Sequence, residues 1–188
     1  MKGKMFIFSA PSGAGKTTIV QRLLKKMPNL EFSVSATSRP IRNNEVHGKD
    51  YYFLTVDEFK TKIYNDEFVE WEEVYENRFY GTLKSEVNRI WEKGNHVVFD
   101  VDVVGGLNIR KKYPQEALSI FIMPPSVDEL EKRLRLRSTD SKEDIDIRVA
   151  KAKKELEYAD QFDTIIFNEV LENAIDEAEK TVNEFILK

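Results

Sequence analysis

The stretch Phe6–Met27, FIFSAPSGAGKTTIVQRLLKKM, decides how the rest of the chain is read. A short apolar run, Met5–Ser9, has the character of a buried strand. A turn rich in glycine and serine follows. From Thr17 to Met27 the apolar residues Ile19, Val20, Leu23, Leu24 and Met27 recur at helical spacing, and Pro28 closes the helix. Strand, turn and helix in that order are the context a phosphate-binding loop requires. Gly15, Lys16 and Thr17 match the end of the pattern G-x-x-x-x-G-K-[ST], but Ala10 stands where its first glycine belongs. The physics of the loop tolerates this. Backbone N–H groups must converge on anionic oxygens at a helix N-terminus, and Gly13 and Gly15 supply the permissive conformations nearest the phosphates. The first position only lets the chain leave the strand, which alanine does if its φ stays negative. The expected triphosphate-binding residues are Ser12, Gly13, Ala14, Gly15, Lys16, Thr17 and Thr18. Lys16 reaches the β- and γ-phosphates, and Thr17 offers its hydroxyl to Mg²⁺.

Outward from the loop, the composition sets bounds. The 188 residues fit one domain with room for an inserted lobe. Charged residues make up 33%, above the usual share of about 25%, which argues for long solvated helices rather than an all-β sandwich. The net charge of −4 lacks the basic excess of a nucleic-acid binder, so no nucleic-acid partner is expected. There is no cysteine, hence no disulfide frame and no thiolate metal site. No apolar run approaches the ~18 residues of a membrane span. The start MKGKMFIFSAPSG is basic, but its apolar run is too short for a secretory signal. It reads as the first buried strand of a cytoplasmic protein without a membrane partner.

Short apolar runs near the N-terminus, at 96, 118 and 164 alternate with helical patterns. This is the signature of a parallel sheet covered on both faces. The spacing predicts helices over 82–93, 145–158 and 171–186, with capping boxes at Thr55/Glu58 and Ser126/Glu129. HVVFDVDVVGG reads as a buried strand ending in acids and glycines. From about 32 to 80 the rhythm breaks into several short strands, read as an inserted α+β lobe.

The blocks SVSATSRPIRNNEVHGKDYYF, FVEW, FYGT, VVFDVDVVGG, IFIMPPS and RLRLRSTD occur in this order and at spacings that resemble the guanylate kinases of bacteria, and the resemblance covers nearly the whole chain. It implies an α/β phosphate-loop kinase fold and the reaction MgATP + GMP ⇌ MgADP + GDP. It also implies a core of about 1–31, 83–133 and 149–188, a GMP-binding lobe of about 32–82 and a short helical lid of about 134–148. The implied partners are ATP and GMP, the implied cofactor is Mg²⁺, and the assembly is a monomer or homodimer.

The same resemblance assigns roles. Glu70 matches the family's guanine-reading carboxylate, which accepts the adjacent N1–H and amino donors that adenine lacks. Ser35 and Thr82 match its hydroxyl positions, and Asp102 a further guanine contact. Arg39 and Arg42 match the phosphate clamp, where guanidinium forks bind a dianion bidentately. Tyr51 and Tyr80 match tyrosines on the same phosphate, and Glu45 a carboxylate near the arginines. Arg137 and Arg148 fall on the catalytic lid arginines, with Arg133 beside the adenine or the phosphates and Asn168 near the adenine. Asp100 is the candidate for the Mg²⁺ water shell; on a strand it shares a face with Asp102. No general base is needed, because a phosphate monoester oxygen is already a nucleophile. The chain departs from the family at Ala10, at Ser138 where glycine is usual, and in YENRFYG, which is one residue longer. A scaffold-type binding module would show a degraded loop. A kinase for another phosphorylated substrate would lack the Glu70, Ser35 and Thr82 set.

Overall fold

In the computed structural model, which describes residues 3–136 and 142–188, the run Met5–Ser9 is strand β1, buried along its whole length. Its alternate residues feed two cores. Phe6 and Phe8 pack with Ile19 and Leu23 of helix α1 (Lys16–Lys26) and with Ile175 and Val182 of the closing helix. Met5 and Ile7 pack on the other side with Val87, Ile90 and Ile109. A strand buried on both faces needs parallel neighbours with helices above and below. The sheet supplies them: β2 (Leu30–Phe32), β7 (His96–Asp100), β1, β8 (Ala117–Met123) and β9 (Thr164–Phe167) run parallel in that spatial order.

Between β2 and β7 the chain builds a second sheet. Its strands β3 (Ala36–Thr37), β4 (Tyr52–Phe53), β5 (Phe68–Tyr75) and β6 (Arg78–Leu83) are ordered β4-β3-β6-β5. Helix α2 (Val56–Tyr64) covers one face, where Phe59 stacks on Phe68 and Phe79 with ring centroids 4.4 Å and 5.4 Å away. The expected capping box at Thr55 and Glu58 starts this helix. A ladder irregularity between Phe68 and Glu70 lets Phe68 join that core while Glu70 lines a cavity with Tyr80. A second irregularity falls between Glu73 and Tyr75, at the start of YENRFYG, and Gly81 lies opposite Trp71 and Tyr80 opposite Glu72.

The remaining helices are α3 (Lys84–Glu92), α4 (Val103–Lys112), α5 (Val127–Leu136), α6 (Lys142–Leu156) and α7 (Leu171–Ile186). Three differ from the sequence reading. The helix expected from Thr82 begins at Lys84, because Thr82 is held extended in β6 opposite Glu70. The helix expected over 145–158 begins a turn earlier. The third, α4, was not anticipated: two glycines in its first turns cost roughly 1 kcal/mol each in a helix, so propensity argues against it. Packing explains them. A Cβ at Gly106 would lie 2.7 Å from Ser9 Oγ and 3.1 Å from Ile7 Cγ2. The glycine lets α4 lie directly on β1. At α5, Ser126 Oγ accepts from the Glu129 N–H as expected, while the Glu129 carboxylate pairs with Arg133.

Gly106→Ala weighs two opposed terms. The helix gains about 1 kcal/mol in propensity, but overpacking costs about 1–3 kcal/mol. The added carbon also crowds the Ser9 hydroxyl, which donates to Val101 O and Asp102 O at 3.2 Å and 3.1 Å. A net loss of stability is expected, read as a lowered Tm; an unchanged or raised Tm would contradict the close-packing account. Among the described residues no helix is long and apolar enough to cross a membrane.

Candidate active site

The loop between β1 and α1 holds Gly13 and Gly15 both at φ 92°, in the left-handed region open to glycine. Ala14 between them is fully buried. Gly15 is the N-cap of α1 and brings no side-chain hydrogen bond, so the first N–H groups of the helix are left for an anion. The buried Asn168 fixes this shape: its Nδ2 donates to Ala14 O at 2.7 Å, and a Cβ on Gly15 would overlap that amide. Ala10 keeps φ out of the left-handed region and packs against the core, as the substitution requires.

Lys16 at the start of α1 turns toward the end of β7. Its Nζ pairs with the Asp100 carboxylate and donates to Val101 O at 3.2 Å. The ammonium and Thr17 border a cavity of about 360 Å³ that also meets Asp100, Asp102 and Arg148. Two further side chains of α6 line it, Lys151 and the buried Glu155, 3.6 Å apart. Burial pushes the Glu155 carboxyl up from its ordinary value.

A second cavity, of about 310 Å³, adjoins the first and shares Asp100, Val101, Asp102 and Lys151 with it. Ser35, Tyr51, Glu70, Glu72 and Tyr80 face into it. Glu70 accepts from the Thr82 hydroxyl at 2.9 Å. Burial pushes the Glu70 carboxyl up to about 7, with the nearby Asp102 charge acting in the same direction and the Thr82 hydrogen bond opposing. Asp102 is the N-cap of α4 and accepts from the Gly105 N–H at 2.7 Å, so it follows β7 rather than continuing it. A Cβ at Gly105 would stand 3.4 Å from Glu70 Oε2, which explains the second glycine of the helix. Glu72 is also raised, first by its hydrogen bond to the Asp102 carboxyl and then by burial.

At the rim of this cavity Arg39 is buried to 7% exposure. Its two terminal nitrogens donate to the two Glu45 oxygens at 2.7 Å and 2.6 Å. Glu45 also accepts from the Arg42 N–H at 2.8 Å, and Arg39 holds its carboxyl down to about 2. The guanidinium lies 5.0 Å from the Tyr51 ring centre, and Tyr51 lies edge-on to Tyr80 at 6.1 Å. The Arg42 side chain is exposed beside the pair. A third cavity, of about 390 Å³, opens behind the loop between Gly15, Thr18, Arg133 and Asn168.

The described candidate residues line these three cavities or stand beside them, Arg42 through its backbone N–H to Glu45. Arg137 and Ser138 lie outside the described residues. The sequence reading passed over Glu72, Lys151 and Glu155. Each had a signal: Glu72 is two residues from Glu70 on a strand, and Lys151 and Glu155 follow Arg148 at i+3 and i+7 on a helix. Thr17 and Asp100 provide hard oxygen donors beside the first cavity, a set whose chemistry suits Mg²⁺.

The described architecture has known counterparts. The guanylate kinase family model matches residues 2–186. A guanylate kinase of Bacteroides thetaiotaomicron is 55% identical over 188 residues, covering 100% of this chain and 92% of that protein. One from Porphyromonas gingivalis is 51% identical, covering 98% of this chain and 99% of that protein. The crystal structure of guanylate kinase from Anaplasma phagocytophilum superposes with a TM-score of 0.77 at 30% identity, covering 100% of this chain and 88% of that one. With the match running from end to end and the loop intact, the chain belongs to the guanylate kinase family.

Proposed function

We propose that the two adjoining cavities hold the two substrates of one reaction, ATP with its phosphates on the loop and GMP in the Glu70 pocket. The enzyme transfers the γ-phosphoryl group of ATP to GMP, giving ADP and GDP. The observation that carries the assignment is the shared wall: Asp100, Val101, Asp102 and Lys151 border both cavities, so the ATP triphosphate and the single GMP phosphate can meet there. Glu70, ionised, accepts the guanine N1–H and one amino hydrogen. Thr82 holds its carboxylate, and Ser35 and Asp102 border the same base. Arg39, preset by Glu45, and Arg42 clamp the GMP phosphate with Tyr51 and Tyr80.

An oxygen of that phosphate attacks the γ-phosphorus as the bond to the β-phosphate oxygen breaks. No proton need be removed from the nucleophile. Positioning and charge neutralisation do the work in such loose transition states. Lys16 neutralises the β- and γ-oxygens, and Arg148, which borders the same cavity, faces the transferring group; Arg137, matched to the other lid arginine, lies outside the described residues. Thr17, and Asp100 through water, would hold Mg²⁺, which supplies further charge neutralisation on the phosphates. Closure of the lobe of about 32–82 over the cleft excludes water that would otherwise hydrolyse ATP; the lid of about 134–148 lies partly outside the described residues. Adenine occupies the cavity between Arg133 and Asn168.

ADP release measured over a panel of nucleoside monophosphates tests the assignment. The parent should use GMP and reject AMP. Glu70→Gln puts an NH₂ donor against a guanine donor. A hydrogen bond to a charged group contributes about 1.5–3 kcal/mol, so GMP efficiency should fall on the order of tenfold to a hundredfold. An unchanged GMP/AMP preference would remove Glu70 from base reading, and GMP binding without ADP release would mark a scaffold-type module. The pH profile gives a second readout. With its carboxyl raised to about 7, Glu70 is protonated below that pH and loses acceptor capacity. Efficiency on GMP should therefore rise with pH through about 7, and Glu70→Gln should lack the part of this limb that exceeds phosphate ionisation.

A further inference from the structure

We propose that Glu72 recognises the sugar of the nucleotide in the Glu70 pocket, accepting hydrogen bonds from its 2′- and 3′-hydroxyl groups and so favouring ribonucleotides over deoxyribonucleotides. The inference rests on the reading that this pocket holds GMP. Glu70 and Glu72 lie two apart on a regular stretch of β5, so both carboxyls face one side, roughly 7 Å apart along the strand. The register gives each an opposite partner: Glu70 faces Thr82, and Glu72 faces Tyr80. Glu70 and Thr82 mark the base end of the cavity. Tyr80, packed against Tyr51 beside Arg39, marks the phosphate end. A sugar joins base to phosphate, and Glu72 stands across the ladder from the phosphate-end tyrosine, one pleat from the base reader.

The chemistry agrees with the position. A cis-diol presents two O–H donors to the two oxygens of one carboxylate. Glu72 hydrogen-bonds the Asp102 carboxyl, itself an acceptor already engaged by the Gly105 N–H, so two carboxyls crowd this end of the cavity and, once both are ionised, need donors from a ligand. A ribose brings them. A site built to hydrogen-bond a hydroxyl rejects the analogue lacking it, because its own acceptor is then left unpaired.

Steady-state kinetics with GMP, 2′-deoxy-GMP and 2′,3′-dideoxy-GMP test this on the parent, Glu72→Ala and Glu72→Gln. In the parent, efficiency should fall in that order. In Glu72→Ala the preference for GMP over the dideoxy analogue should shrink on the order of tenfold, mainly through KM for GMP. Glu72→Gln keeps one acceptor and should lie between. Glu72 is exposed and supports no buried core, so both variants should fold. The same sugar preference in the parent and in Glu72→Ala would overturn the proposal, including the case where all three substrates lose equally. Glu70→Gln serves as the control for the pocket. If it left GMP efficiency untouched, the pocket assignment would fall and this inference with it, whatever the sugar ratios.

Discussion

Lys16→Ala should lower turnover by on the order of 10²–10³, comparable to removing a preorganised donor from a site of developing charge. Lys16 is the cation at the head of the loop, and its ammonium is already held at the cleft by Asp100 and Val101 O. Its deletion has two consequences. The γ-phosphoryl group loses a positive neighbour as charge spreads over its oxygens. Asp100 also loses its ion-pair partner and presents an uncompensated carboxylate to a polyphosphate. The second effect makes the variant worse than loss of a contact alone. Lys16→Ala combined with Asp100→Asn should therefore recover part of the ATP affinity but little of the turnover. Strict additivity of the two substitutions in ATP binding would contradict that coupling. Turnover in Lys16→Ala equal to that of the parent would show that the loop is not the ATP site.

The second large effect belongs to Arg39. Arg39→Ala should lower kcat/KM for GMP by on the order of a hundredfold while ATP affinity, measured by calorimetry, holds. Two charge-assisted hydrogen bonds to a phosphate dianion are lost, each contributing about 1.5–3 kcal/mol, with partial compensation from Arg42 and the tyrosines. Glu45 is then left beside the phosphate without its partner. In the free protein Arg39 spends both terminal nitrogens on Glu45 and its flat face on Tyr51, so its orientation is set before GMP arrives. Arg39→Lys retains the charge but neither the fork nor the stacking, and should recover only a small part of the loss. Full recovery by lysine would mean that charge alone matters at this position.

Much of this site is legible in the sequence because its residues obey short-range rules. Strand, glycine turn and helix surround Lys16 at fixed offsets, whereas Glu70 reads locally as an outward residue of an alternating strand and takes its role only from the resemblance to guanylate kinases. Three features were hidden. Helix α4 reads poorly because Gly105 and Gly106 lower its propensity, and the reason for both glycines is tertiary: one admits β1, the other admits Glu70 and Asp102. Asp102 therefore reads as a strand residue on the face of Asp100, whereas it caps a helix and reaches Glu72 from the opposite side of the cleft. Thr82 misreads for a related reason. Its local sequence suits a helix start, but pairing with Glu70 twelve residues away keeps it in a strand. Asn168 shows a third kind of hidden role. Its contact with Ala14 O spans 154 residues, and no local pattern reports it.

A crystal structure of the protein with GMP and a non-hydrolysable ATP analogue tests the central claim most directly. The account predicts guanine N1 and the amino group within ~3 Å of the Glu70 carboxylate, and the GMP phosphate between Arg39, Tyr51 and Tyr80. The γ-phosphate should sit beside Lys16 and Thr17, with adenine between Arg133 and Asn168. Guanine seated in the Arg133–Asn168 cavity, or a GMP phosphate on the loop with the Glu70 pocket empty, would contradict it.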